Sequence, residues 1–176
     1  MLEPRDALGG VVLVLLWRGV GTQDYLGLGI PTLQRAFVDP TLVPWAFALK
    51  LLFTAVTLAV GFPGGEVTPL FFVGACLGNA LAEPLGLPLA LAAGVGMAAV
   101  FGAAANTPLA LSLMAVELLG GAVLPHVALV TVVAYLLTGH RGIYPAQRIA
   151  RLKQGGPLLR RLVPLRELED DEPPEP

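Results

Sequence analysis

The stretch Gly64-Gly65-Glu66-Val67-Thr68-Pro69 stops one apolar run and starts another. Two consecutive glycines remove the Cβ atoms that would crowd a ligand. The helix start that follows presents N–H groups with no intrahelical acceptor and a partial positive charge. Together these make a cradle for a small anion. Thr68 adds a hydroxyl donor at its mouth, and Pro69 suits an early helix position, where its missing N–H costs nothing. A plain turn between two helices is the alternative for the same residues.

The surroundings decide between these alternatives. Hydrophobic residues make up 55% of the chain and charged residues only 14%, with a mean hydropathy of +0.73. Soluble domains carry about 25% charge, so this balance points to lipid. Between residues 40 and 139 the charged side chains are Lys50, Glu66, Glu83 and Glu117 alone. A net charge of −2 offers no basic field for nucleic acid. An ionised carboxylate at membrane depth costs roughly 2.5 kcal/mol or more, which marks Glu66 as functional unless it reaches water or pairs with Lys50. Burial there would let the carboxyl carry a proton.

Outward from this stretch, a spanning helix needs about 20 apolar residues, and few segments reach that length. Helices are expected over 7–17, 44–60, 68–81, 89–105, 109–119 and 122–138, with a glycine-rich loop and one apolar turn over 25–30. The segment from Thr68 is expected to stop before Glu83-Pro84, too short to cross. In lipid, broken helices persist only where protein buries them or where they line a wet cavity. In transporters such breaks mark the substrate site. Gly74 and Gly78 are spaced for close helix contact, expected within one subunit rather than as a dimer motif. Arg148, Arg151, Lys153, Arg160 and Arg161 follow the last apolar helix, which places the C-terminus in the cytoplasm. Residues 167–176, acidic and proline-rich, are expected to be disordered.

The run Gly61-Phe62-Pro63-Gly64-Gly65-Glu66-Val67-Thr68-Pro69, followed by Leu70-Phe71-Phe72-Val73-Gly74-Ala75, resembles the third anion-site segment of CLC-type chloride channels and anion-proton antiporters. Asn106-Thr107-Pro108-Leu109, Glu117 at the end of a short helix and Gly139-His140-Arg141-Gly142-Ile143-Tyr144 agree in order and spacing. The resemblance covers residues 7–152. It implies an anion site of backbone amides around Glu66 and Val67, completed by the Tyr144 hydroxyl, with Gly64, Gly65 and Thr68 beside it and Lys50, Pro108 and Glu117 as structural residues. The family's usual segment carries an apolar pair where this chain has Glu66-Val67. The variant is similar to the fluoride-exporting subgroup, which implies fluoride/proton antiport. A chloride channel or chloride/proton antiporter is the first alternative and a non-transporting membrane fragment the second.

The expected fold is an all-α integral membrane fold with broken, re-entrant helices, the second inverted repeat of a CLC-type subunit. Residues 1–152 form the transmembrane repeat and 153–176 a cytoplasmic, partly disordered tail. Nothing supplies the Gly-x-Glu-Gly-Pro segment of the first repeat. The partners implied are therefore fluoride or chloride, protons, the bilayer, a missing N-terminal half and, when complete, a second copy in a homodimer. The location implied is the cell membrane.

No cofactor, metal site or enzyme activity is expected. Cys76 is alone, and His126 and His140 have no ligand companions; His126 is expected inside the bundle and His140 in a loop. Gly94-Val95-Gly96-Met97-Ala98-Ala99 matches a dinucleotide fingerprint only formally, because no strand precedes it; helix packing explains it better. Tyr25 and Trp45 suit interfacial anchors.

Overall fold

The computed structural model describes residues 4–62, 64–139, 142–144, 146–151 and 158–164. Among the described residues seven helices run in order: α1 Pro4–Val20, α2 Ile30–Arg35, α3 Ala46–Val60, α4 Val67–Leu85, α5 Leu89–Ala104, α6 Pro108–Leu119 and α7 Leu124–Leu137. A 3-10 turn, Gly121–Val123, precedes α7. Two compact units divide the chain, Met1–Met97 and Ala98–Pro176.

In the first unit α3 packs on α4 and α1, and α2 packs on α4. Helix α3 ends where Gly61 takes the left-handed conformation (φ 95°). Its N–H bonds the Leu58 carbonyl at 2.9 Å and the Phe62 N–H bonds that of Thr57 at 3.2 Å, so two carbonyls of the last turn are satisfied. Gly86 (φ 62°) closes α4 in the same way, with its N–H on the Glu83 carbonyl and the Leu87 N–H on that of Ala82.

This closure corrects the expected stop before Glu83. Pro84 is inside the helix but in its last turn, where the single hydrogen bond it removes is soon replaced by the glycine cap. Helix α4 is therefore 19 residues long, and among the described residues it is the one helix long and apolar enough to cross a membrane. The small residues pack within the chain, as their spacing predicts. A Cβ on Gly74 would lie 2.5 Å from the Gly96 carbonyl oxygen and 2.7 Å from the Met97 Cα; one on Gly78 would collide with the Ala92 carbonyl. Gly96, in the formal dinucleotide match, is thus a helix-contact residue of α5.

Two further corrections concern side chains. Tyr25 is buried rather than interfacial, its ring 6.0 Å from that of Phe53 and 6.1 Å from that of Phe72. Apolar packing in the helix-free loop over α3 and α4 outweighs its amphipathic character. His126, in the first turn of α7, is exposed on the surface of this chain, whereas its neighbour Val127 is buried. Trp45 is exposed, as an anchor would be. His140 lies outside the described residues.

In the second unit α6 packs against α7. The buried hydroxyls of Ser112 and Thr131 meet at 2.7 Å, and each also donates to, or lies within bonding distance of, a carbonyl one turn back: Pro108 and Val127 respectively. Asn106 takes a positive φ of 56° and the Thr107 N–H returns to the Gly102 carbonyl at 2.9 Å. The chain then restarts as α6 with Pro108 at its first position.

A short antiparallel pair that the sequence does not announce follows the helices: β1 Arg148–Arg151 and β2 Leu158–Pro164, with Arg148 opposite Pro164 and Arg151 opposite Leu158. It spans the expected boundary at residue 152. Residues 167–176, expected to be disordered, lie outside the described residues.

Candidate functional site

Helix α4 begins at Val67, with Glu66 as its N-cap at φ −86°, ψ −25°. The first intrahelical bond runs from the Leu70 N–H to the Glu66 carbonyl at 3.2 Å. The amides of Val67 and Thr68 therefore lie in the first turn, where a helix has no acceptor of its own to offer, and Pro69 has no N–H to satisfy. The Glu66 side chain makes no capping bond, so it does not occupy these donors. Glu66 and Val67 are both exposed, and Thr68 is half-buried. The burial expected of Glu66 is not supplied by this chain's own atoms.

Gly64 and Gly65 are exposed, and a Cβ added to either would meet nothing within 4 Å. Neither has the positive φ that demands glycine. Internal packing and backbone conformation thus leave their lack of side chains unexplained, unlike Gly74 and Gly78.

Behind the glycines is a cavity of about 240 Å³, lined by Gly64, Gly65 and Pro69, by Lys50 and Thr57 of α3, and by the 25–28 loop. Lys50 is only 1% exposed. Its ammonium donates to the carbonyls of Tyr25 (3.2 Å) and Gly27 (2.5 Å) and lies 5.3 Å from the centre of the Phe72 ring. The alternative in which Glu66 pairs with Lys50 is therefore not realised. Pro108 starts α6 and Glu117 lies near its end, exposed.

Tyr144 is in the second unit and is 42% exposed. Its strand of chain is tied down on either side: the Ile143 N–H bonds the Ala104 carbonyl, and the Gln147 N–H bonds the Tyr144 carbonyl, both at 2.9 Å. Gly64 to Thr68 are contiguous at one helix start in the first unit. Among the described residues there is no group of three or more His, Cys, Asp or Glu side chains able to hold a metal.

An all-helical core of short, strongly apolar segments, one of them restarting after a glycine pair at Val67, has the features of a helical membrane fold. The comparisons make the class definite. Residues 4–139 match the family model for the voltage gated chloride channel, and the chain belongs to that CLC family. Over 160 residues it is 46% identical to a chloride/fluoride channel protein of Pseudomonas syringae pv. tomato, covering 88% of this chain and 35% of that protein. It is 33% identical over 152 residues to the voltage-gated ClC-type chloride channel ClcB of Salmonella typhi, covering 78% and 36%. A crystal structure of a CLC-type fluoride/proton antiporter superposes with a TM-score of 0.75 at 39% identity, covering 78% of this chain and 35% of that one. The chain thus has the CLC-type helical membrane fold, and spans about a third of the length of the relatives it matches.

Proposed function

We propose that this chain forms one part of an anion pathway in the cell membrane, that fluoride is its preferred ion, and that fluoride is exchanged for protons. The observation that carries this is the free start of α4: two glycines with open space around them, a first turn whose amides are not capped by a side chain, and a carboxylate at the cap position. A carboxylate and an anion compete for the same positive helix end. Protonating Glu66 removes one competitor, so anion occupancy and Glu66 protonation are linked, and exchange follows when the proton leaves Glu66 and the anion leaves the helix start toward opposite sides of the membrane. That reciprocity is what couples two ions. Thr68 contributes a hydroxyl donor, which suits a small, strongly hydrogen-bonding ion. The similarity to a protein named for chloride and fluoride, and to a fluoride/proton antiporter, supports the choice of ion.

The pathway needs a complementary half, since the chain spans about a third of its relatives, and the whole works as a homodimer with the basic segment after α7 on the cytoplasmic side. A chloride channel or antiporter is the second reading, supported by the relatives named ClcB.

Ion efflux from proteoliposomes holding the assembled transporter tests this. Fluoride should leave faster than chloride and carry protons inward, and Glu66→Gln and Thr68→Ala should each slow fluoride efflux by about tenfold, equivalent to about 1.4 kcal/mol in the barrier. Unchanged fluoride flux and proton coupling in both variants would remove these residues from the site. Faster chloride than fluoride efflux in the unaltered protein would favour the second reading.

A further inference from the structure

The buried lysine of α3 carries an inference that rests on the anion-pathway reading and extends it. A cation at 1% exposure is costly to hold unless its donors are satisfied. Lys50 satisfies its donors on two main-chain carbonyls and a ring face rather than on a carboxylate. The ion pair found among the described residues is Arg35–Asp39. The charge of Lys50 is therefore solvated by dipoles but not cancelled, on the wall of the cavity that Gly64 and Gly65 also line. The carbonyls of Tyr25 and Gly27 belong to the loop on that same wall. Left free, two carbonyl oxygens there would repel an anion and draw in water.

We propose that Lys50 is a positioning residue of the anion site. It holds the 25–28 loop with its carbonyl oxygens engaged and leaves one uncancelled positive charge beside the approach to the α4 N-terminus. A purely structural tie would need the hydrogen bonds alone. The proposed role needs the charge as well, and so predicts an effect on anion affinity separate from folding.

The assembled transporter in proteoliposomes, assayed for initial fluoride and chloride efflux against internal anion concentration, separates the two roles. Lys50→Met keeps the length and apolar stem. Lys50→Gln keeps a donor without charge, and Lys50→Arg keeps both. Lys50→Met and Lys50→Gln should raise the KM for the transported anion by at least fivefold with the maximal rate within about twofold. Lys50→Arg should keep KM within about twofold of the unaltered protein. A neutral variant that folds and keeps the original KM would overturn the proposal. So would failure of both neutral variants to fold while Lys50→Arg behaves normally, since that outcome leaves only a structural role. Absence of anion flux in the unaltered protein would instead sink the anion-pathway reading itself.

Discussion

Two kinds of glycine sit within one helix-and-turn of each other, and the difference between them is physical. At Gly74 an added methyl would press on the backbone of α5, which cannot move aside as a flexible side chain could. Gly74→Ala should therefore force α4 and α5 apart and cost about 1–3 kcal/mol, visible as a lowered thermal midpoint in detergent. At Gly65 the same methyl meets nothing within 4 Å, so Gly65→Ala should leave the midpoint unchanged and, if the amides behind it receive an anion, slow transport. An equal loss of midpoint in both variants would show that Gly65 is a packing residue. The sequence made both sets of glycines conspicuous by spacing alone. It could not reveal Lys50's surroundings, because its partners are main-chain carbonyls some 23 and 25 residues away, and carbonyls have no sequence signature.

Helix ends explain which elements were legible. Helix α3 is expected over 44–60 and observed over Ala46–Val60, and α6 is expected over 109–119 and observed over Pro108–Leu119. Both are bounded by proline at the start and glycine at the end, where local backbone chemistry decides the outcome. The α4 end differs from its expected place near Leu81 because Pro84 is accommodated in the last turn, so that the stop falls at Gly86. Helix α2, of six residues, was invisible because so short a helix is held by tertiary packing rather than by its own propensity.

The turn leaving α2 makes its own prediction. Asp39 accepts bonds from the Thr41 hydroxyl at 2.6 Å and the Thr41 N–H at 2.9 Å, and from Arg35 at 2.8 Å. Chiefly the Thr41 hydroxyl, and then Arg35, lower its carboxyl pKa from 3.8 to about 2. A depressed carboxyl pKa means the turn's extra stability is complete above the ordinary value and is lost as the pH falls through 4 toward 2. Followed by NMR of the Thr41 amide, the Asp39 titration should have its midpoint near 2. Thr41→Val should move it up toward the ordinary carboxylate value of about 3.9, and Asp39→Asn should abolish it. A wild-type midpoint already near the ordinary value would mean that the turn does not hold its carboxylate.

At the scale of the molecule, apolar side chains cover surfaces that water would not tolerate. Leu8, Leu15 and Leu58 are exposed in the first unit, and Leu113, Leu129 and Leu137 in the second. Helices that are apolar on every side face lipid or other helices. Within this chain the candidate site is likewise open, with Glu66 and Val67 uncovered, so cover for the α4 start must come from outside these residues if an anion is to be held away from bulk water. The Pseudomonas syringae relative provides a direct test, since the chain matches 160 of its residues at 46% identity. Replacing those residues of the relative with the corresponding ones of this chain should give a protein that inserts into membranes and carries fluoride within about tenfold of the parent rate. Glu66→Gln in that hybrid should lower the flux by about tenfold, the same change expected of the unaltered transporter. If the hybrid folds, by a monodisperse profile in detergent, yet carries neither fluoride nor chloride, then the helix start at Gly64 to Thr68 has the shape of an anion site without its activity. The non-transporting reading would then replace the one proposed.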